Sequence, residues 1–175
     1  MSALPLEVHV RIGRLALGQG AMHLKATLGS CVGIALVWRE RGLCALAHCL
    51  LPQAPLGADP RPASCLPDGS ETSEGARYVD QAVQNLLARL GAGPGDRRQI
   101  RAHLAGGANM QRRVPAPGAA RAIGDLNIEA AQRALASAGI EVASRDVGGF
   151  CARQIRVHCA APEVAVTQVS APAVP

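Results

Sequence analysis

The stretch that decides the fold is "LGSCVGIALVWRERGLCALAHCLLP", residues 28–52. From Val32 to Trp38 it is almost wholly apolar, as expected of a strand covered on both faces. The polar tetrapeptide "RERG", residues 39–42, reads as a turn, and residues 43–51 as the partner strand of a hairpin. Centring that hairpin near residues 40 and 41 puts Cys31 roughly opposite residue 49 or 50. His48 then comes within contact after a small adjustment of register. Strand alternation places Cys44 on the same face as His48 and Cys49 on the other.

Working outward, residues 6–17, "LEVHVRIGRLAL", alternate Val8, Val10 and Ile12 with polar neighbours and predict one half-buried strand. Residues 23–28 predict a second, ended by Gly29. After the hairpin, "PQAPLGADPRPASCLPDGSETS", residues 52–73, carries five prolines and reads as a long loop of the kind that often borders a functional site. The stripe Val79, Ala82, Val83, Leu86, Leu87 and Leu90 predicts a helix, with Ser73 as its cap, Glu74 in its first turn and Gly91 as its terminator. Residues 99–105 predict a strand running into a glycine turn. A second helix fits residues 125–138, capped by Asp125 or Asn127 and ended by Gly139. Strands follow at about 140–147, 151–158 and 163–169, before a tail, residues 170–175, expected to fray. The whole predicts a single α+β (mixed α/β) domain spanning 1–169: a layered sheet system with a central hairpin and two main helices packed on it.

Composition narrows the function classes. With 175 residues, 49% hydrophobic and 18% charged, the chain can bury a core of its own. Trp38, Tyr78 and Phe150 are its only aromatic residues, too few to stack on bases, and the +5 net charge is scattered; nucleic acid is not an expected partner. The N-terminus lacks the form of a signal peptide, and no apolar run approaches the length of a membrane span, so membrane insertion is not expected and a cytoplasmic location is. Cysteines 31, 44, 49, 65, 151 and 159 are then read as reduced thiols, and the absence of a Cys-x-x-Cys pair gives a zinc site little support.

Chemistry is carried by Cys31 and His48. A thiol nucleophile needs a base within hydrogen-bond reach, donors for the oxyanion and access for substrate. Gly29 lets the backbone turn tightly before Cys31, with amide groups available beside Ser30. Burial as a small hydrophobe is the commoner fate of a cysteine in so apolar a setting. On spacing alone both readings stand. Of the other four histidines, His9, His23 and His103 are most simply surface or satisfied core residues, His158 makes no pair with Cys151 or Cys159 on one strand face, and "AGGANM" is a tight turn without the lysine of a phosphate-binding loop.

The wider pattern favours the nucleophile. "TLGSCVGIAL", His48 followed by "CLLP", "RYVDQAV", "LAGGANM", "IGDLN" and "DVGG" occur in the order seen in CheD, the chemoreceptor glutamine deamidase family, and the chain resembles that family over about residues 7–168. The resemblance implies a cysteine-dependent protein-glutamine glutaminase that converts receptor glutamines to glutamate through a thioester. Cys31 is then the nucleophile, His48 the general base and Thr27 the nearest match to a catalytic threonine, while Gly29 and Ser30 shape the oxyanion site. No metal or organic cofactor is implied. The implied partners are the cytoplasmic domain of a chemoreceptor (a methyl-accepting chemotaxis protein) and a CheC-type phosphatase. A regulator without catalysis, or a cysteine hydrolase acting on receptor methyl esters or other amides, are the alternatives. The chain departs from the family pattern at Cys49, where an aromatic residue is common, and at Phe150, where asparagine is usual. It also lacks the arginine that commonly precedes Asn127, and Thr27 lies closer to the cysteine than is usual.

Overall fold

A computed structural model describes residues 6–58, 72–111, 116–118 and 120–169. Ten strands and two α-helices form three layers. Strands β1 (Glu7–His9), β3 (His23–Leu28), β9 (Ala152–His158) and β10 (Glu163–Val169) make a four-stranded sheet in the order β1-β3-β9-β10. Strands β2 (Arg14–Gln19), β4 (Val32–Trp38), β5 (Leu43–Cys49), β6 (Ser73–Glu74), β7 (Ile100–Gly106) and β8 (Glu141–Val147) make a six-stranded sheet in the order β6-β2-β5-β4-β7-β8. Helices α1 (Val79–Leu90) and α2 (Ile123–Ala138) cover the far face of the larger sheet. The expected α+β architecture of one layered domain is what the chain adopts.

The central hairpin explains the layering. Every residue of β4 is buried, because helices cover one face and the smaller sheet the other. Val32, Ile34, Leu36 and Trp38 face the helices, where they meet Val83, Leu86, Leu87 and Leu135. Ala35 and Val37 face the smaller sheet, together with Cys44 and Leu46 of β5 and Ile155 and Val157 of β9. Small side chains let the two sheets close on each other: a Cβ at Gly33 would lie 2.8 Å from Leu28 Cδ1. The β4–β5 ladder pairs Val32 with Cys49 and Gly33 with His48, and its centre falls within "RERG", as the sequence predicts. Cys49 joins the helix-side core while Cys44 joins the inter-sheet core, the face assignment expected from alternation.

Three expectations are corrected. The single N-terminal strand is two: β1 pairs with β3 in the smaller sheet, and β2 pairs with β5 in the larger. The chain crosses between sheets at residues 10–13, where the Gly13 N–H donates to the His48 carbonyl at 2.8 Å. The alternation breaks there: Val8 and Val10 are buried, whereas Ile12, expected on the same inward side, is exposed in the crossing. Ser73 and Glu74 do not open α1; they form β6 against β2, and α1 starts at Val79 after an extended Tyr78. Asp125 and Asn127 do not cap α2, which begins at Ile123 and holds both inside it. Gly91 and Gly139 end the two helices as expected, each with φ near +70°. Most of the proline-rich loop, including Cys65, and the tail from residue 170 lie outside the described residues.

Candidate active site

The turn between β3 and β4 carries the chain from the smaller sheet to the larger, and Cys31 sits at its end. Cys31 immediately precedes β4, and two residues further on Gly33 stands opposite His48. The cysteine turn and His48 thus lie at the same end of the β4–β5 ladder, and the Cys31 side chain packs in the core between the sheets. Both are buried, at 6% and 3% exposure.

The histidine ring is oriented from the crossing segment. His48 Nδ1 lies 3.0 Å from the Val10 carbonyl oxygen. A carbonyl only accepts, so Nδ1 carries the proton and Nε2 keeps its lone pair. Nε2 is buried and has no hydrogen-bond partner among the described residues. A buried ring nitrogen left unpartnered costs free energy of the order of 1–3 kcal/mol. An imidazole held in this tautomer presents the lone pair that a general base needs.

Electrostatics hold both groups neutral at rest. Burial lowers the His48 pKa below the ordinary histidine value, against the raising effect of the Val10 carbonyl and with a further lowering from His9. Burial likewise raises the Cys31 thiol, with a smaller lowering from hydrogen bonding to its own backbone. The resting pair is thus thiol and imidazole rather than thiolate and imidazolium.

Other elements fix the turn. Three successive carbonyls are taken by donors outside it. The Gly29 oxygen accepts from Ala108 N–H at 2.8 Å, Ser30 from Asn127 Nδ2 at 3.0 Å and Cys31 from Gly107 N–H at 2.8 Å. Gly107 has φ +68°, and a Cβ there would lie 2.5 Å from Ile128 Cγ1 and 2.9 Å from the Gly124 oxygen. The "GGANM" turn is therefore a wedge between the Cys31 backbone and the first turn of α2, and only glycine fits it. The "DVGG" segment braces it from the other side. Gly148 N–H donates to Gly106 O and Asn109 N–H to Gly149 O. Buried Arg153 ties that segment down, donating to Asp146 Oδ1 at 2.7 Å, Gly148 O at 2.7 Å and Cys151 O at 3.0 Å.

The remaining expected site residues fall as follows. Gly29 and Ser30 lie in the turn beside Cys31, Gly29 under the exposed Met110 side chain. Thr27 is exposed: Leu24, Ala26 and Leu28 of β3 point inward, so Thr27 points out and is not brought to the Cys31–His48 pair. The acceptor on His48 is instead the Val10 main chain. Cys49 packs among the helix-side apolar residues, where burial and then the charge of Cys31 push its thiol up. Phe150 is exposed on the loop after Gly149. Asn127 was missed as a site residue. Its signal was available, since it falls on the apolar stripe of α2 with Ala131, Leu135 and Ala138, where a buried amide calls for a reason.

No cluster of three or more metal-binding side chains occurs among the described residues. No helix among them is long and apolar enough to cross a membrane.

Comparison with known proteins matches residues 62–168 to the family model described as CheD chemotactic sensory transduction. The chain belongs to the CheD family. It is 36% identical over 168 residues to a probable chemoreceptor glutamine deamidase CheD 2 of Ruegeria sp. (strain TM1040), covering 93% of this chain and 92% of that protein. It is 36% identical over 158 residues to a probable chemoreceptor glutamine deamidase CheD of Bdellovibrio bacteriovorus, covering 88% and 90%. A chemoreceptor glutamine deamidase CheD of Halalkalibacterium halodurans is 32% identical over 133 residues, covering 76% and 75%. The family-model match lies C-terminal to Cys31 and His48, whereas the Ruegeria alignment leaves too little of the chain out to miss them. The CheD motifs "LAGGANM", "IGDLN" and "DVGG" are the segments that wedge, clamp and brace the cysteine turn.

Proposed function

We propose that this CheD-family chain is a chemoreceptor glutamine deamidase, with Cys31 as nucleophile and His48 as general base. The observation that carries the reading is the unpartnered, buried Nε2 of His48 two residues along the ladder from the Cys31 turn, its other nitrogen held by the Val10 carbonyl. The names borne by its relatives supply the substrate class.

As the thiol attacks the side-chain carboxamide of a receptor glutamine, its proton passes to His48 Nε2 and a C–S bond forms. The negative charge that develops on the carboxamide oxygen is held by the Cys31 backbone N–H. Imidazolium returns the proton to the nitrogen, the C–N bond breaks and ammonia leaves, giving a thioester. Water then attacks the thioester carbon, His48 takes its proton, and the C–S bond breaks to release glutamate and the thiol. No redox step or cofactor enters this balance. Met110 and Phe150 are exposed apolar side chains on segments joined by the Asn109–Gly149 hydrogen bond, Met110 lying beside Gly29, and they offer a receptor helix apolar contact. A CheC-type phosphatase is a second proposed partner, on family resemblance.

The test is incubation of the purified protein with a receptor cytoplasmic fragment, with mass spectrometry mapping each glutamine that becomes glutamate. Conversion that persists unchanged in Cys31→Ala would refute the proposal.

A further inference from the structure

We infer that Asn127 is a positioning residue for the deamidation: it aims the backbone N–H of Cys31 at the oxyanion. This rests on the reading of Cys31 as nucleophile.

Asn127 is fully buried at the start of α2, and its Nδ2 group donates at 3.0 Å to both the Ser30 and the Leu50 carbonyls. Continuing the β4–β5 register beyond the Val32–Cys49 pair puts Leu50 beside Cys31. One amide group therefore locks the two chain segments that flank the thiol at a fixed spacing. Both of its N–H bonds are used for this, and its Oδ1 accepts nothing among the described residues. A side chain kept for generic helix packing would not hold two carbonyls and leave its own oxygen buried and unpartnered.

The Ser30–Cys31 peptide plane converts the clamp into an orientation. In a trans peptide the C=O and the following N–H point to opposite sides. Asn127 draws the Ser30 oxygen toward α2, so the Cys31 N–H is turned away from α2. That is the side of the inter-sheet core, where the Cys31 side chain packs. The neighbouring carbonyls cannot take its place, since Ala108 and Gly107 hold those of Gly29 and Cys31. With all three carbonyls drawn off, the turn presents a donor to the reacting carbonyl and no competing acceptor from residues 29–31.

The test separates oxyanion stabilisation from thiol reactivity. Alkylation of Cys31 by iodoacetamide displaces iodide and builds no oxyanion, whereas deamidation builds one. Asn127→Ala is expected to lower kcat for glutamine conversion in a receptor fragment by about 100-fold, the scale of losing one oxyanion donor. KM and the Cys31 alkylation rate at pH 9 should stay within about threefold. Equal losses in alkylation and deamidation, or unchanged kcat, would overturn the inference. Should Asn127→Ala not fold, the wild-type chain decides. A receptor-derived peptide carrying an aldehyde in place of the glutamine carboxamide should add to Cys31 and shift the Cys31 amide proton resonance downfield. An unmoved resonance in the adduct would count against Asn127 as the aiming group. Failure of the underlying reading looks different: Cys31→Ala would retain conversion, and no aldehyde adduct would form.

Discussion

His48 stands opposite Gly33 in the central ladder, two residues along from Cys31, whose side chain packs in the core between the sheets. The pair is a product of register. A slip of one residue would send His48 into the helix-side core with Cys49 and leave the thiol without a base. Removing either member should therefore abolish turnover while leaving the fold in place. Cys31→Ser is expected to lower receptor glutamine conversion by at least about 1,000-fold, and His48→Asn by about 100- to 10,000-fold. Ammonia release under saturating receptor fragment checks both.

Thr27 gives the opposite expectation. It is exposed on the outward face of β3 and away from the pair. Thr27→Val should keep kcat within about twofold and alter stability by no more than about 0.5 kcal/mol. A loss of tenfold or more in kcat would mean that β3 turns its outer face into the reaction.

The pH dependence follows from two neutral groups. Burial lowers His48 below 6.5, so the acid limb of kcat/KM should fall beneath the ordinary histidine range. Burial raises the Cys31 thiol above 9.0, so iodoacetamide should label it no faster than a free thiol at pH 7 and faster only above pH 9. Rapid labelling at neutral pH would indicate a thiolate–imidazolium pair instead. Stability carries the same sign. Below about pH 6.5 the unfolded chain binds a proton at His48 that the folded chain resists, so folding free energy falls with falling pH and is level above that value. Part of that slope should vanish in His48→Gln during urea titrations at several pH values.

Gly107 tests the wedge against the first turn of α2. Alanine there would force a side chain into φ +68° and into contact with Ile128 and the Gly124 oxygen. A cost of about 3 kcal/mol is expected, from left-handed strain plus overpacking. Gly91→Ala has a similar φ of +66° but meets nothing within 4 Å, so its cost should be nearer about 1 kcal/mol. Denaturant midpoints of the two variants measure the difference.

Arg153 probes the brace. Its side chain is 6% exposed while Asp146 is 43% exposed, so solvent screens part of the pair. Arg153→Met should cost about 2 kcal/mol, mainly through the orphaned Gly148 and Cys151 carbonyls, and should slow deamidation by loosening the turn. Chemical denaturation and turnover assays together would separate the two effects.

Much of the fold was legible because local pattern and tertiary role agree. The apolar run of β4, the "RERG" turn and the leucine stripe of α1 each announce one structure, and the hairpin register alone sets His48 opposite Gly33. The split of the N-terminal segment was hidden because Val8, Val10 and Ile12 look like one alternation, although Ile12 falls in the crossing and is exposed. Thr27 entered through the family resemblance, whereas the period of two in β3 turns it outward. Asn127 looked like a helix cap because polar residues near a helix start usually are, and its partners, Ser30 and Leu50, lie far away along the chain.

The Val10 carbonyl has a consequence for how such a protein drifts and is dissected. Because the group that sets the imidazole tautomer belongs to the main chain, substitutions at residue 10, whose side chain is buried between the sheets, report on packing rather than on the proton. A survey replacing side chains one at a time would score that position as core and miss its carbonyl. Moving the path of the chain at that crossing, by inserting or deleting one residue, is what would reveal it.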